Sequence, residues 1–264
     1  MKVIDFHAHA FPDTVAEKAM PLLESEANVK APLNGTLADF LRAMDRAGVV
    51  VSVLSSIATK PTQFEPILQW SKGIASDRIV PFPSVHPADP EAVAHVHAIA
   101  EAGFKGLKLH PYYQEFCIDE DRMIPIYEAA AADDLIVLCH AGFDIAFPRD
   151  RIADPVRTAA VLDRIPGLKF VAAHVGAWED WDEVEKHLIG KPVYMDVSYS
   201  LHLMDRDYAR RLLMAHPMEY ILFGTDAPWA DPAEVIAQVQ ALELGEARET
   251  ALLYGNGARL LGLE

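Results

Sequence analysis

Cysteine is nearly missing from these 264 residues. There are two, Cys117 and Cys139, and no CxxC pair, which excludes a disulfide framework and suits a reducing cytoplasm. Positive charge is scarce as well. The 23 Lys+Arg stand against 39 Asp+Glu, a formal net charge of −16, and no Lys/Arg cluster interrupts that balance. So acidic a surface repels phosphate backbones, and no nucleic-acid partner is expected. The longest stretch free of Asp, Glu, Lys and Arg, Ala47 to Thr59, has 13 residues, too few to span a bilayer. The N-terminal MKVIDFHAHAF lacks the apolar core of a signal peptide. A cytoplasmic protein with no membrane partner is therefore expected. No GxGxxG or GxxxxGKS/T occurs, which removes the phosphate loop that an open doubly wound sheet would normally show. With no Ser/Gly-rich linker or low-complexity tract, residues 1–264 are expected to form one domain.

What is present is a repeated alternation. Short apolar, β-branched runs start at Val3, Val50, Ile79, Phe104, Leu135, Lys169, Val193 and Tyr220, and amphipathic segments lie between them. Thr36 with Asp39 three residues on reads as a variant capping box. Asp89-Pro90, Asp154-Pro155 and Asp231-Pro232 each read as an N-cap before a first-turn proline. Gly48 and Gly103 stand where helices would end. Eight strand–helix units in this length fit a closed (β/α)8 TIM barrel, with Glu246 to Leu261 as an extra C-terminal helix. The segment from Ala10 to Gly35 is a long first connection.

Polar residues close several of these runs: His7-Ala8-His9, Lys108-Leu109-His110, Cys139-His140, Ala173-His174 and Gly224-Thr225-Asp226. The two-residue period of a strand puts Asp5, His7 and His9 on one face and Lys108 and His110 on another. The outside of a barrel must be apolar to meet its helices, so the polar set points inward at the top, where this architecture keeps its active sites. Two imidazoles two residues apart can converge on one metal. A third imidazole and a carboxylate from other strands complete a mixed N/O shell that suits zinc or a related divalent ion. A lone strand-end histidine is ordinarily structural; the joint pattern is what argues for chemistry, because unpaired buried imidazoles and carboxylates are costly.

With these residues in view, the chain resembles the amidohydrolase superfamily, and more narrowly its amidohydrolase-related branch of TIM-barrel metal-dependent hydrolases, which also holds aromatic-acid decarboxylases. The resemblance rests on HxH in strand 1, the two later histidines, Gly224 to Pro228 (GTDAP), Gly106 to Pro111 (GLKLHP) and the ending Gly255 to Leu261 (GNGARLL). It implies His7, His9, His140 and Asp226 as metal ligands. It implies His174 as the strand-6 histidine, which binds a second ion in two-metal members and polarises substrate in one-metal members. Two-metal members bridge their ions with a carboxylated lysine or a glutamate closing strand 4. Lys108 has that residue type but lies one layer deep, so one ion is the expectation and two stay open. Zinc is the expected ion, with manganese as the alternative.

In the mechanism that follows, the ion acidifies water, Asp226 moves its proton, and His174 donates to the substrate oxygen that becomes negative. The expected function is hydrolysis of an amide, ester or lactone in a small, carboxylated or aromatic molecule. The alternative is metal-dependent non-oxidative decarboxylation of an aromatic or unsaturated acid by the same residues, and the third reading is a non-catalytic metal-binding barrel. His110, Lys108, Tyr112, Arg149 and Trp178 are the candidate substrate contacts. For Tyr112 and Trp178 the alternative is packing under their loops, for Arg149 a solvated surface charge, and for Lys108 an ion pair with a core acid such as Asp5. Cys139, on the face opposite His140, is expected to pack against helices. The expected partner is a small-molecule substrate, and a homodimer is the assembly common in the family.

Overall fold

The computed structural model describes residues 2–263. Eight strands alternate with helices in the expected order: β1 (Val3–Ala8), β2 (Val49–Ser55), β3 (Ile79–Phe82), β4 (Gly106–Leu109), β5 (Ile136–Cys139), β6 (Lys169–Ala172), β7 (Tyr194–Asp196) and β8 (Ile221–Leu222). The helices are α1 (Asp13–Ala27), α2 (Leu37–Ala47), α3 (Phe64–Ile74), α4 (Ala92–Glu101), α5 (Ile124–Ala132), α6 (Pro155–Arg164), α7 (Trp181–His187), α8 (Arg206–Ala215), α9 (Pro232–Ala241), α10 (Glu246–Thr250) and α11 (Asn256–Leu261). None of the helices is long and apolar enough to cross a membrane among the described residues.

Most of the expected local signals operate. The Thr36 side chain accepts from Asp39 N at the start of α2. Asp154 caps α6 and Asp231 caps α9, each before a proline whose missing N–H would be unsatisfied there anyway. Gly48 ends α2 in the left-handed conformation. Asp89-Pro90 differs: the Asp89 carboxylate accepts from Glu91 N, 2.9 Å away, but this closes a turn and α4 starts only at Ala92. The first connection is not a bare loop, since the 15-residue α1 occupies most of it.

The chain gathers into two compact units. The first takes residues 2–54, 189–192 and 196–263; the second takes 55–188 and 193–195. In the first unit β1 pairs in parallel with β2, Val3 opposite Val49 and Ala8 opposite Leu54, with shifts of register between. On its other side β1 meets the β8 segment, where Phe6 N donates to Phe223 O at 2.7 Å. Phe6, Phe40, Met44 and Leu54 are fully buried there. The C-terminal helix is one helical run with a π turn at Ala251–Gly255 between α10 and α11. Within this turn Leu252 O accepts from Phe223 N at 3.0 Å.

In the second unit β4, β5 and β6 run parallel in register, Leu109 opposite Cys139 and Cys139 opposite Ala172, and β6 continues to β7 through Ala172 and Met195. Lys108 N donates to Pro83 O at 2.8 Å beside the end of β3. Phe82, Leu107, Tyr127 and Phe170 are among its largest fully buried side chains.

Candidate functional site

Each unit carries its own cluster of ionisable side chains just past the strand ends. In the first, His7 lies in β1 and His9 one residue beyond it. His7 Nδ1 is 3.0 Å from Asp196 Oδ2 and 3.0 Å from Ser198 Oγ, and His7, Asp196 and Ser198 are all buried. Asp196 Oδ1 also accepts from Ser198 N at 3.0 Å. An ionised carboxylate only accepts, so His7 Nδ1 carries the proton and Nε2 presents its lone pair.

That Nε2 lies 3.2 Å from His9 Nε2 and 3.4 Å from Asp226 Oδ1, and His9 Nε2 lies 3.2 Å from the same oxygen. Three donors thus form a nearly equilateral triangle. A tetrahedral ion about 2.0–2.1 Å from each donor needs donors roughly 3.3–3.4 Å apart. The residues therefore fit a divalent metal, both in donor chemistry and in spacing. The carboxylate behind His7 is the arrangement that orients metal-binding imidazoles generally.

The backbone brings Asp226 to this triangle. Its φ is +63°, in the left-handed region that L residues rarely adopt, and its N–H donates to His7 O at 2.7 Å. Gly224 is required for the approach, because a Cβ there would lie 2.9 Å from His7 Cβ. Asp5 is fully buried and accepts from Thr225 Oγ1 (2.6 Å), Thr225 N (3.0 Å) and His7 N (3.1 Å). Burial outweighs those bonds and pushes its carboxyl up to about 7. It braces the loop after β8 against β1.

In the second unit His140 and His174 follow β5 and β6. His140 Nε2 is 2.9 Å from Phe143 O. A carbonyl cannot donate, so Nε2 carries the proton and Nδ1 keeps its lone pair, 3.0 Å from His174 Nε2. Burial first, then the neighbouring His110 and His174, hold His140 well below the usual imidazole range, so it is neutral. Buried Lys108 in β4 acts in the same direction. His174 and Val175 both have positive φ, 63° and 55°, and the His174 carbonyl accepts from Trp181 Nε1 at 3.0 Å.

His110 stacks on His140 with centroids 4.2 Å apart and 16° between planes, and its Nε2 lies 3.3 Å from Asp144 Oδ2. Tyr113 meets His110 edge-on at 4.8 Å, and Phe147 meets Tyr113 in turn at 4.8 Å, so an aromatic wall surrounds the imidazoles. Gln114 holds His110 from behind. Its Oε1 accepts from His110 N at 2.8 Å, and its Nε2 donates to Ala58 O (2.9 Å) and Val85 O (2.8 Å).

The other candidate contacts lie in the loops after β4, β5 and β6. The Tyr112 hydroxyl donates to Asp150 O at 2.6 Å, with Gly142 O 3.2 Å away, so it ties down the loop after β5. Arg149 is exposed, pairs with Glu179 and lies 4.0 Å over the Phe143 ring. Arg151 clamps Asp180 bidentately at 2.8 and 2.9 Å. Trp178 is buried and joins Gly142 in a parallel bridge. Cys139 is fully buried, and its thiol is pushed up to about 12 by that burial.

Sequence reasoning missed Asp196, Ser198, Asp144 and Gln114. Asp196 was visible in principle, since the seventh run also ends in polar residues, Asp196 and Ser198 at period 2. Asp144 and Gln114 sit in loops with no spacing signal.

A family profile described as amidohydrolase matches residues 4–263. A search of curated protein sequences returns no match. Among solved structures, an uncharacterized TIM-barrel protein from Bordetella bronchiseptica has a TM-score of 0.80 at 20% identity, with 99% of each chain covered. A 5-carboxyvanillate decarboxylase from Sphingomonas paucimobilis has a TM-score of 0.71 at 14% identity, again covering 99% of each chain. A dihydroxybenzoic acid decarboxylase from Polaromonas sp. JS666, with bound manganese and the inhibitor 2-nitroresorcinol, has a TM-score of 0.73 at 16% identity, covering 99% of this chain and 97% of that one. The fold held in common is the (β/α)8 barrel, here with its added C-terminal helix.

Proposed function

The chain belongs to the amidohydrolase family, and we propose that it is a metal-dependent hydrolase cleaving an amide, ester or lactone bond in a small carboxylated or aromatic molecule. The observation that carries this reading is the His7–His9–Asp226 triangle, with donor separations of 3.2–3.4 Å and the His7 tautomer set by Asp196. The ion proposed is a single Zn2+, with Mn2+ as the alternative. When bound, a divalent cation supplies Lewis acidity, bringing the pKa of water toward neutrality.

Everything else is the work of this chain's own groups. Asp226, only part-buried and facing both imidazoles, takes the proton of the attacking water and returns it to the leaving group. Asp196 keeps the proton of His7 on Nδ1. His174 donates a hydrogen bond to the substrate oxygen that becomes negative. Buried Lys108 and His110 contribute positive character for a substrate carboxylate. The family pattern adds His140 as a further metal ligand.

A second reading is non-oxidative decarboxylation of an aromatic acid. It is favoured by the aromatic wall of His110, Tyr113 and Phe147 and by the decarboxylases among the similar structures. The test is a paired screen of the zinc-loaded and manganese-loaded protein. Lactones, esters and N-acyl amino acids are assayed for hydrolysis, and hydroxybenzoates for CO2 release. Turnover in the first group that vanishes in Asp226→Asn supports the hydrolase; CO2 release without any hydrolysis replaces it with the lyase.

A further inference from the structure

Past β7 the chain runs along the first cluster and bends at one residue. Ser198 is buried with its Oγ 3.0 Å from His7 Nδ1, and Ser200 is buried with its Oγ donating to Ser198 O at 2.8 Å. Tyr199 stands between them. Its φ is +42°, in the left-handed region, where a bulky residue is an outlier. Asp226 of the triangle shares that region, at +63°. Such strain persists where the surrounding structure over-determines it, and it gathers at functional sites.

The bend leaves the Tyr199 side chain half-buried and braced edge-on by His202, with ring centroids 4.7 Å apart and 72° between planes. Its hydroxyl is treated unlike those of two other tyrosines. Tyr112 and Tyr127 donate to backbone carbonyls at 2.6 and 2.9 Å. The Tyr199 hydroxyl donates to no group among the described residues, and it is not one of the polar atoms shut off from solvent. Burial first, then the charge of Asp226, hold the phenol above its usual range, so it keeps its proton at neutral pH. An open O–H and the Asp226 carboxylate thus lie within electrostatic reach without bonding each other. That leaves the O–H for a group that enters from solvent.

We propose that Tyr199 is a substrate-binding residue of the first cluster, its phenol O–H donating to an anionic oxygen of the molecule bound there. The acceptor that suits both a divalent cation and a neutral O–H is an oxygen anion, planar in a carboxylate or tetrahedral in an acyl-transfer adduct. A ring held by His202 presents that donor in place before the ligand arrives. This inference rests on the proposed metal reading of the triangle but not on which bond is broken.

The experiment uses the zinc-loaded full chain. Benzoate, a planar oxyanion, and phenylphosphonate, a tetrahedral one, are titrated calorimetrically into three proteins: the parent, Tyr199→Phe, and the chain with 3-fluorotyrosine placed at position 199. The fluorinated phenol is a stronger donor of nearly the same size. Tyr199→Phe is expected to bind the tighter probe about tenfold more weakly. The fluorotyrosine protein is expected to bind it at least as tightly as the parent does. Zinc affinity and ligand-free Tm should be unchanged in both. A ring that merely packs against His202 would not follow the acidity of its hydroxyl. Undiminished affinity in Tyr199→Phe overturns the proposal, as does weaker binding by the fluorotyrosine protein. A loss matched by an equal loss of zinc affinity also overturns it, by making Tyr199 part of the metal site's frame. So does a zinc-holding parent that binds neither probe. A parent that holds no zinc is recognised earlier, in the metal titration, and removes the metal reading together with this inference. Failure of the proposed reaction is read separately, in the hydrolysis and CO2 assays, and leaves the probe titrations standing.

Discussion

The two units hold clusters made of the same kinds of group, imidazoles and an aspartate, and use them differently. In the first, His7, His9 and Asp226 turn their donors toward a common point, and the His7 nitrogen facing away is occupied by a carboxylate. In the second, the Nε2 proton of His140 is given to the Phe143 carbonyl, and Asp144 faces the edge of His110. The first cluster is arranged for a cation. In the second, where His110, His140 and Asp144 also come close enough to hold an ion, the His110 and His140 rings stack and burial keeps His140 neutral. What separates them is the partner on each remote ring nitrogen, because that partner decides which nitrogen keeps its lone pair.

Substitutions can break this contrast, starting with the greatest loss. His7→Ala removes a corner of the triangle, and zinc affinity in a chelator competition should fall by more than about a hundredfold, beyond the usual cost of a supporting residue. Asp196→Asn leaves the shape of that residue but no longer fixes the His7 proton, and the same titration should show a loss of roughly 10- to 100-fold. If Asp196→Asn binds zinc as tightly as the parent, the carboxylate behind His7 does not prepare the site. His140→Ala tests the ligand that the family pattern adds. A loss comparable to that of His7→Ala supports it, and unchanged affinity removes His140 from the shell.

Asp144→Asn should then change zinc affinity by less than about twofold, since the second cluster is built on hydrogen bonds; a loss like that of Asp196→Asn would make the two clusters alike after all. The smallest effect concerns the thiols. With Cys139 fully buried and its thiol pushed up to about 12, iodoacetamide at pH 8 should modify Cys117 in the native protein and reach Cys139 only on unfolding. Labelling of Cys139 in the folded state would show that the β5 end opens.

Much of the fold was legible because it is written locally. The run starting at Val3 forms β1, the run starting at Lys169 forms β6, and Thr36, Asp154 and Asp231 cap helices as their spacing predicts. The strands themselves are shorter than the apolar runs. His110, His140, His174 and Asp226 all fall in the loops beyond them, where the two-residue alternation no longer assigns a face. His174 and Asp226 reach their positions through left-handed backbone that no propensity of histidine or aspartate announces. Arg149 carried a charge suited to a carboxylate, but Glu179, thirty positions on, takes it.

The sequence by itself determined the alternation of strands and helices, the clustering of histidines at strand ends and the metal-binding class of chemistry. Each of these depends on residue type and on spacing along one segment. Only the tertiary structure decided that Asp196 stands behind His7, that Gln114 holds His110, and that Tyr112 and Arg149 are bound to neighbouring loops. Those outcomes depend on which atoms come within about 3 Å across large separations in sequence. Hydrogen-bond energy falls away so steeply with distance and angle that composition and periodicity carry no trace of it.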